Sequence, residues 1–174
     1  MQYYGGGVDS AKVCYVVQEQ PAGLCDAIFQ ALPLIKDDEP VVMGLPDTVW
    51  FPTDGLARLG NDGLSFLCFP VKNPHLFDAV LHDEEGRVQE IQVKRKDARS
   101  NWIWGAIKAQ GRVLHELHAL WLERKKQDEY LGTLVNAWIA RGGQAFALRA
   151  GESYVDVGTL NGYRDAMNLL RSRS

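Results

Sequence analysis

At 174 residues, 46% of them apolar, the chain is long enough for one domain with a sizeable core. Its formal net charge of −3 gives no electrostatic reason to expect a nucleic-acid or anionic-membrane partner. Cys14, Cys25 and Cys68 lack any C-x-x-C spacing and read as reduced, mostly buried thiols. With no apolar run long enough to span a bilayer and no basic-then-apolar N-terminal pattern, the expectation is a soluble cytoplasmic domain.

Gly5-Gly6-Gly7 reads as a flexible connector rather than a phosphate cradle, since glycine runs favour mobility. Lys12 to Gln18 (KVCYVVQ) predicts a strand. After Pro21, Leu24, Ile28 and Ala31 share one helical face, with Ala27 and Leu34 beside it, until KDDEP interrupts. Val41 to Gly44 predicts a short buried strand, Leu64 to Val71 a further strand, and Pro74 to Leu81 a short helix. DEEG, ending at Gly86, is a hairpin-type turn before a strand over Val88 to Lys94.

Asn101 to Lys108 is strand-like. Helical stretches follow over Val113 to Lys125 and Tyr130 to Arg141, with Gly142-Gly143 as a stop. Gln144 to Leu148 is another strand. The last segment, Tyr154 to Thr159, leads into a helix with Tyr163, Ala166 and Leu170 on one face. Strands alternating with helices predict an α/β fold with a largely parallel sheet.

Two carboxylates stand where strands should end. Asp47 follows Val41 to Pro46, and Asp156 follows Tyr154-Val155 and precedes Gly158-Thr159. Ligands of open α/β sheets bind outside the carboxyl ends of strands, where an aspartate suits a divalent metal and its phosphates. Each aspartate also has a plain reading as a turn residue. His115 and His118 are three apart, not four as in H-E-x-x-H, and read as ordinary helix positions. Trp102, Trp104, Trp121 and Trp138 read as packing residues. Trp50, three residues past Asp47, is placed at the mouth of the presumed site, over a ligand or against a neighbouring subunit.

The ordered set QEQPAGLCDAI, GLPDTVW, RSNWIWGAI, EYLGTLVNAWIARGG and YVDVGT resembles the sugar-1-phosphate nucleotidyltransferases, with the glucose-1-phosphate thymidylyltransferase branch nearest, from about Tyr15 onward. The resemblance implies a Rossmann-like nucleotide-diphospho-sugar transferase fold, a mixed and mostly parallel sheet flanked by helices. Residues 1–174 would form one nucleotidyltransferase domain, corresponding to the C-terminal two-thirds of the family domain. It implies transfer of a nucleotidyl group from a nucleoside triphosphate, dTTP or UTP, to a sugar-1-phosphate, releasing pyrophosphate. Asp47 and Asp156 fall at the family's magnesium positions, and Lys94 at the lysine that binds the sugar phosphate. Gln20 and Gly23 match positions that contact the nucleotide base, and Gly105 a glycine lying against the sugar.

Two departures bear on these expectations. The family's opening G-x-G-T-R-L loop, which holds the triphosphate, has no counterpart in MQYYGGGVDSAKVCYVV. An inner strand would then be missing, which predicts either self-association through exposed strand edges and apolar faces or a sequence read from an incomplete gene. The family glutamate that contacts sugar hydroxyls is replaced by Val93, and the proline after the lysine by Arg95. Lys94 reads as a phosphate ligand or a solvated loop residue; Arg95 and Lys96 read as solvated. Two hypotheses follow: a magnesium-dependent enzyme, or a non-catalytic module that binds nucleotide sugars.

Overall fold

In the computed structural model, which describes residues 13–61 and 63–173, Gly23 opens the first helix. Its φ of 92° is a conformation that side-chain-bearing residues resist, and the Leu24 N–H behind it donates to the Glu129 carbonyl at 3.1 Å. Helix α1 (Leu24–Gln30) buries Cys25 and Phe29, and a single 3-10 turn over Leu32–Leu34 continues it. The strands β1 (Pro40–Gly44), β2 (Thr48–Phe51), β3 (Leu64–Pro70), β4 (Asp78–His82), β5 (Val88–Val93) and β6 (Trp102–Gln110) follow. Helices α2 (Gly111–Glu123) and α3 (Leu131–Ile139) come next, then β7 (Ala145–Leu148), β8 (Ser153–Asp156) and α4 (Leu160–Arg173).

The main sheet has the order β5-β4-β6-β3-β7. β3 runs along one side of β6; on the other side β4 meets Ile103, and β1 covers Ala106 to Gln110. β2 and β8 form a separate antiparallel ribbon. One ladder residue is skipped opposite Leu67 and Cys68, making Gly105 a bulge in β6. The bulge lets Trp104 and Ile107 both face the helices although their spacing is odd.

The larger core lies between the sheet and the helices. α2 contributes Val113, Leu114, Leu117, Leu120 and Trp121 at helical spacing, and α3 adds Leu131, Leu134 and Val135. Leu67 and Phe69, alternating with Phe66 and Cys68 along β3, point the other way into a small cluster with Leu59, Ala106, Trp50 and Tyr154. Asn136 of α3 clamps the edge strand β5. Its Oδ1 accepts from the Ile91 N–H at 2.7 Å and its Nδ2 donates to the Ile91 carbonyl at 2.8 Å.

The class is α/β as expected, but the direction of the strands is not. Among the described residues only β3 and β7 pair in parallel, and every other ladder is antiparallel. The β4–β5 hairpin turns at Asp83 to Gly86, where Gly86 has φ 81°, and hairpins are antiparallel by construction. Pro74 starts only a one-turn helix, Pro74–Leu76. The expected remainder of that helix is β4, whose Ala79 and Val80 are both fully buried, so the period-2 signal is lost.

Val13 to Gln18, the described part of the expected first strand, joins no sheet, and Val17 is 74% exposed. β-propensity without a partner makes no strand. β1 is half-buried rather than buried, because only β6 pairs with it. In α4 only Ala166 is buried; Tyr163 and Leu170 are exposed. Gly5 to Gly7 lie outside the described residues. No helix among the described residues is long and apolar enough to cross a membrane.

Candidate active site

The β2–β8 ribbon creates the site. Thr48 pairs with Asp156, and the Val157 N–H donates to the Asp47 carbonyl at 2.8 Å, adding a rung beyond the strands. Both aspartates thereby border one cleft of about 300 Å³, together with Thr48, Asp78, Lys94, Trp104, Tyr130 and Tyr154. A methyl group on Gly158 would stand 3.0 Å from Asp156 Oδ1 and 3.7 Å from Asp47 Oδ2. The bare glycine keeps the space between the two carboxylates open. Asp156 Oδ1 also accepts the Gly158 N–H at 2.7 Å, which orients the group.

Three carboxylates and one lysine line this cleft. Such a lining repels polyphosphate unless a cation intervenes. Among the described residues no three His, Cys, Asp or Glu side chains converge on a metal position. Asp47 and Asp156, both exposed, are the residues that could hold a cation there, and a pair of carboxylates open to water and ligand suits magnesium better than zinc.

Lys94 follows β5 with φ 45°, and its Nζ lies 4.8 Å from the centre of the Tyr130 ring. Asp78, at the head of β4, faces it from the neighbouring strand. Burial pushes the Asp78 carboxyl upward; a hydrogen bond from Trp104 Nε1 at 3.4 Å and the Lys94 charge pull the other way. Burial, then the charges of Asp156, Asp47 and Asp78, raise the Tyr154 phenol and keep it protonated. The helix expected over Pro74 to Leu81 hides Asp78 in the sequence. Its signal is a carboxylate heading the buried run Ala79-Val80.

The other expected residues are placed differently. Gln20 is exposed and borders a separate polar cleft with Glu19, Asp26 and Gln30, not the cleft of the aspartates. Gly23 is matched to Glu129, whose Cγ would lie 2.5 Å from a Gly23 methyl. Gly105 is covered by protein: a methyl there would meet Tyr154 Cε2 at 2.5 Å and Phe69 Cε2 at 2.8 Å. Trp50 does not border the aspartate cleft but packs on Phe69 at 5.5 Å, because alternation in β2 turns it toward the small core cluster.

Arg95 is not solvated alone; it bridges Glu90 and Asp97. His115 Nε2 meets the Ile35 carbonyl at 3.1 Å, and His118 stacks near Phe29 and Trp121. Trp121 is buried against Phe29 and donates from Nε1 to the Asp128 carbonyl. Trp104 packs on Phe66 and lends an edge to the cleft.

Known proteins resemble this chain. The glucose-1-phosphate thymidylyltransferase of Mycolicibacterium smegmatis is 26% identical over 175 residues, covering 97% of this chain and 60% of that protein. The bifunctional protein GlmU of Francisella philomiragia is 37% identical over 90 residues, half of this chain and 20% of that protein. The chain thus spans from a fifth to three fifths of these relatives. UTP-bound UGPase from Acinetobacter baumannii superposes with a TM-score of 0.71 at 18% identity, over 93% of this chain and 61% of that one. A UDP-glucose pyrophosphorylase complexed with UDP-glucose gives 0.70 at 19% identity, over 96% and 69%. The nucleotidyl transferase family model matches residues 3–173, nearly the whole chain, and the protein belongs to that family.

Proposed function

We propose that the cleft joins a nucleoside triphosphate to a sugar-1-phosphate, giving a nucleotide sugar and pyrophosphate. The observation that carries this reading is the side-by-side placement of Asp47 and Asp156 around Gly158, with Lys94 bordering the same cleft. Among the proteins named above are a thymidylyltransferase and structures holding UTP or UDP-glucose, which supports dTTP or UTP as the nucleotide.

Asp47 and Asp156 would hold Mg2+, which when bound neutralises phosphate charge and orients the attacking and leaving oxygens. Lys94 pairs with the phosphate of the sugar, whose oxygen attacks the α-phosphorus while pyrophosphate departs. Such a displacement rests on positioning and charge and needs no nucleophilic side chain. Cys68, the nearest buried thiol by sequence to the cleft strand β4, is pushed up to about 12 by burial and does not border the cleft.

The test is pyrophosphate release by the full chain with dTTP or UTP and a panel of sugar-1-phosphates. Asp47→Asn and Asp156→Asn should each lower turnover by about 100-fold or more, the scale of losing one electrostatic stabiliser. Turnover unchanged in both variants, or no release with any substrate pair, overturns the proposal.

A further inference from the structure

We infer that Asp78 is the residue that selects the sugar, its carboxylate accepting hydrogen bonds from neutral ring hydroxyls of the sugar phosphate. The inference rests on the reaction proposed above and names a specificity-determining residue for it.

The β4–β5 register pairs Asp78 with Val93, so the strand that delivers Lys94 sits directly beside the one that delivers Asp78. A phosphate-binding ammonium and a hydroxyl-binding carboxylate are thus presented by adjacent rungs to one cleft. Val93, apolar, offers nothing to a hydroxyl; its register partner does.

Asp78 keeps spare acceptor capacity. A carboxylate has about four acceptor positions, of which the Lys94 backbone N–H and Trp104 Nε1, at 3.4 Å, take two. Burying a carboxylate costs stability unless its acceptor positions are filled, and a ligand hydroxyl would fill one of those left open. The surrounding walls are aromatic: Phe77, Trp104, Tyr130 and Tyr154 line the same cleft. Flat apolar faces beside a hydrogen-bond acceptor match a sugar ring, whose C–H faces are apolar and whose rim carries hydroxyls. Among the described residues Asp78 does not join Asp47 and Asp156 in a metal-ligand cluster.

A structural role is the competing account. A methyl on Gly132, in the first turn of α3, would stand 3.4 Å from Asp78 Oδ2, so the carboxylate lies near that helix start. A purely structural Asp78 would be indifferent to which hydroxyls a sugar carries, and the experiment turns on that difference.

Calorimetry on the full chain, with Mg2+ present, compares wild type, Asp78→Ala and the near-isosteric Asp78→Asn. The ligands are hexose-1-phosphates, their monodeoxy analogues, and UTP or dTTP. The expected result is sugar-phosphate binding weakened about 10- to 100-fold in Asp78→Ala, the range for a hydrogen bond to a charged group. One deoxy analogue should bind wild type as weakly as its parent binds the variant, and the variant should no longer distinguish the two. Triphosphate binding should be unchanged. Equal weakening of parent, every deoxy analogue and triphosphate, or no weakening at all, overturns the assignment; if Asp78→Ala does not fold, the same criteria apply to Asp78→Asn. Wild type that binds no sugar-1-phosphate overturns the proposed reaction, and this inference with it.

Discussion

The Val157 N–H donates to the Asp47 carbonyl at 2.8 Å, one rung beyond the pairing of Thr48 with Asp156. Two residues more than a hundred positions apart are brought together by this ribbon, so their carboxylates meet at Gly158. The ribbon is short, and its register decides the site. A one-residue slip would reverse which side chains face the cleft.

Gly158 tests that meeting point. Its backbone is outside the positive-φ set, so alanine is conformationally acceptable there. The added methyl would stand 3.0 Å from Asp156 Oδ1 and 3.7 Å from Asp47 Oδ2. Gly158→Ala should melt at the wild-type temperature while Mn2+ affinity, read by electron paramagnetic resonance, falls about 10-fold, the lower range for disturbing ligand support. Unchanged Mn2+ affinity would count against the two-aspartate set.

Gly105 makes a different claim, about packing. Its bulge brings Tyr154 and Phe69 so close that alanine would overlap both rings. Gly105→Ala should cost about 1–3 kcal/mol in urea unfolding, as overpacking does. Adding Tyr154→Leu should recover part of the loss, since contacting residues couple. Additive costs would show that the two positions do not press on each other.

Asn136 ties helix α3 to the sheet edge. Its side chain satisfies both backbone groups of Ile91 on edge strand β5. Asn136→Ala should cost about 1–2 kcal/mol, the scale of leaving part-buried polar groups unpaired. Amide exchange at Ile91 should speed up selectively; uniform exchange rates across β4 and β5 would argue that the clamp is idle.

His118 sets a pH dependence. Burial, then the nearby charges of Lys126 and His115, hold its pKa below the ordinary 6.5. The neutral ring is favoured in the fold, so the folded state binds fewer protons than the unfolded one in this range. Its contribution to stability is full above about pH 6.5 and is lost as pH falls through the depressed folded value. Thermal melts from pH 8 to pH 5 should show this slope, and His118→Gln should flatten it. An identical slope in the variant would assign the effect elsewhere.

The sequence by itself determined the element order from α2 onward. Val113, Leu117 and Leu120 repeat at helical spacing, and Gly142, at φ 94°, follows α3 where a stop was expected. Asp47 and Asp156 stand in the sequence as strand-end carboxylates, and the β2–β8 ribbon brings both to one cleft. What proved illegible was non-local. Val13 to Val17 has strand propensity but finds no partner, while Ala79 and Val80, buried on both faces, hide a strand and with it Asp78. Gly105 and Gly23, which the family resemblance matches to ligand-contacting glycines, lie against Tyr154 and Glu129. Pairing, direction and which side chains share a cleft depend on contacts between residues far apart in the chain. Only the tertiary structure decides them, because the free energy of each contact exists only once both partners are in place.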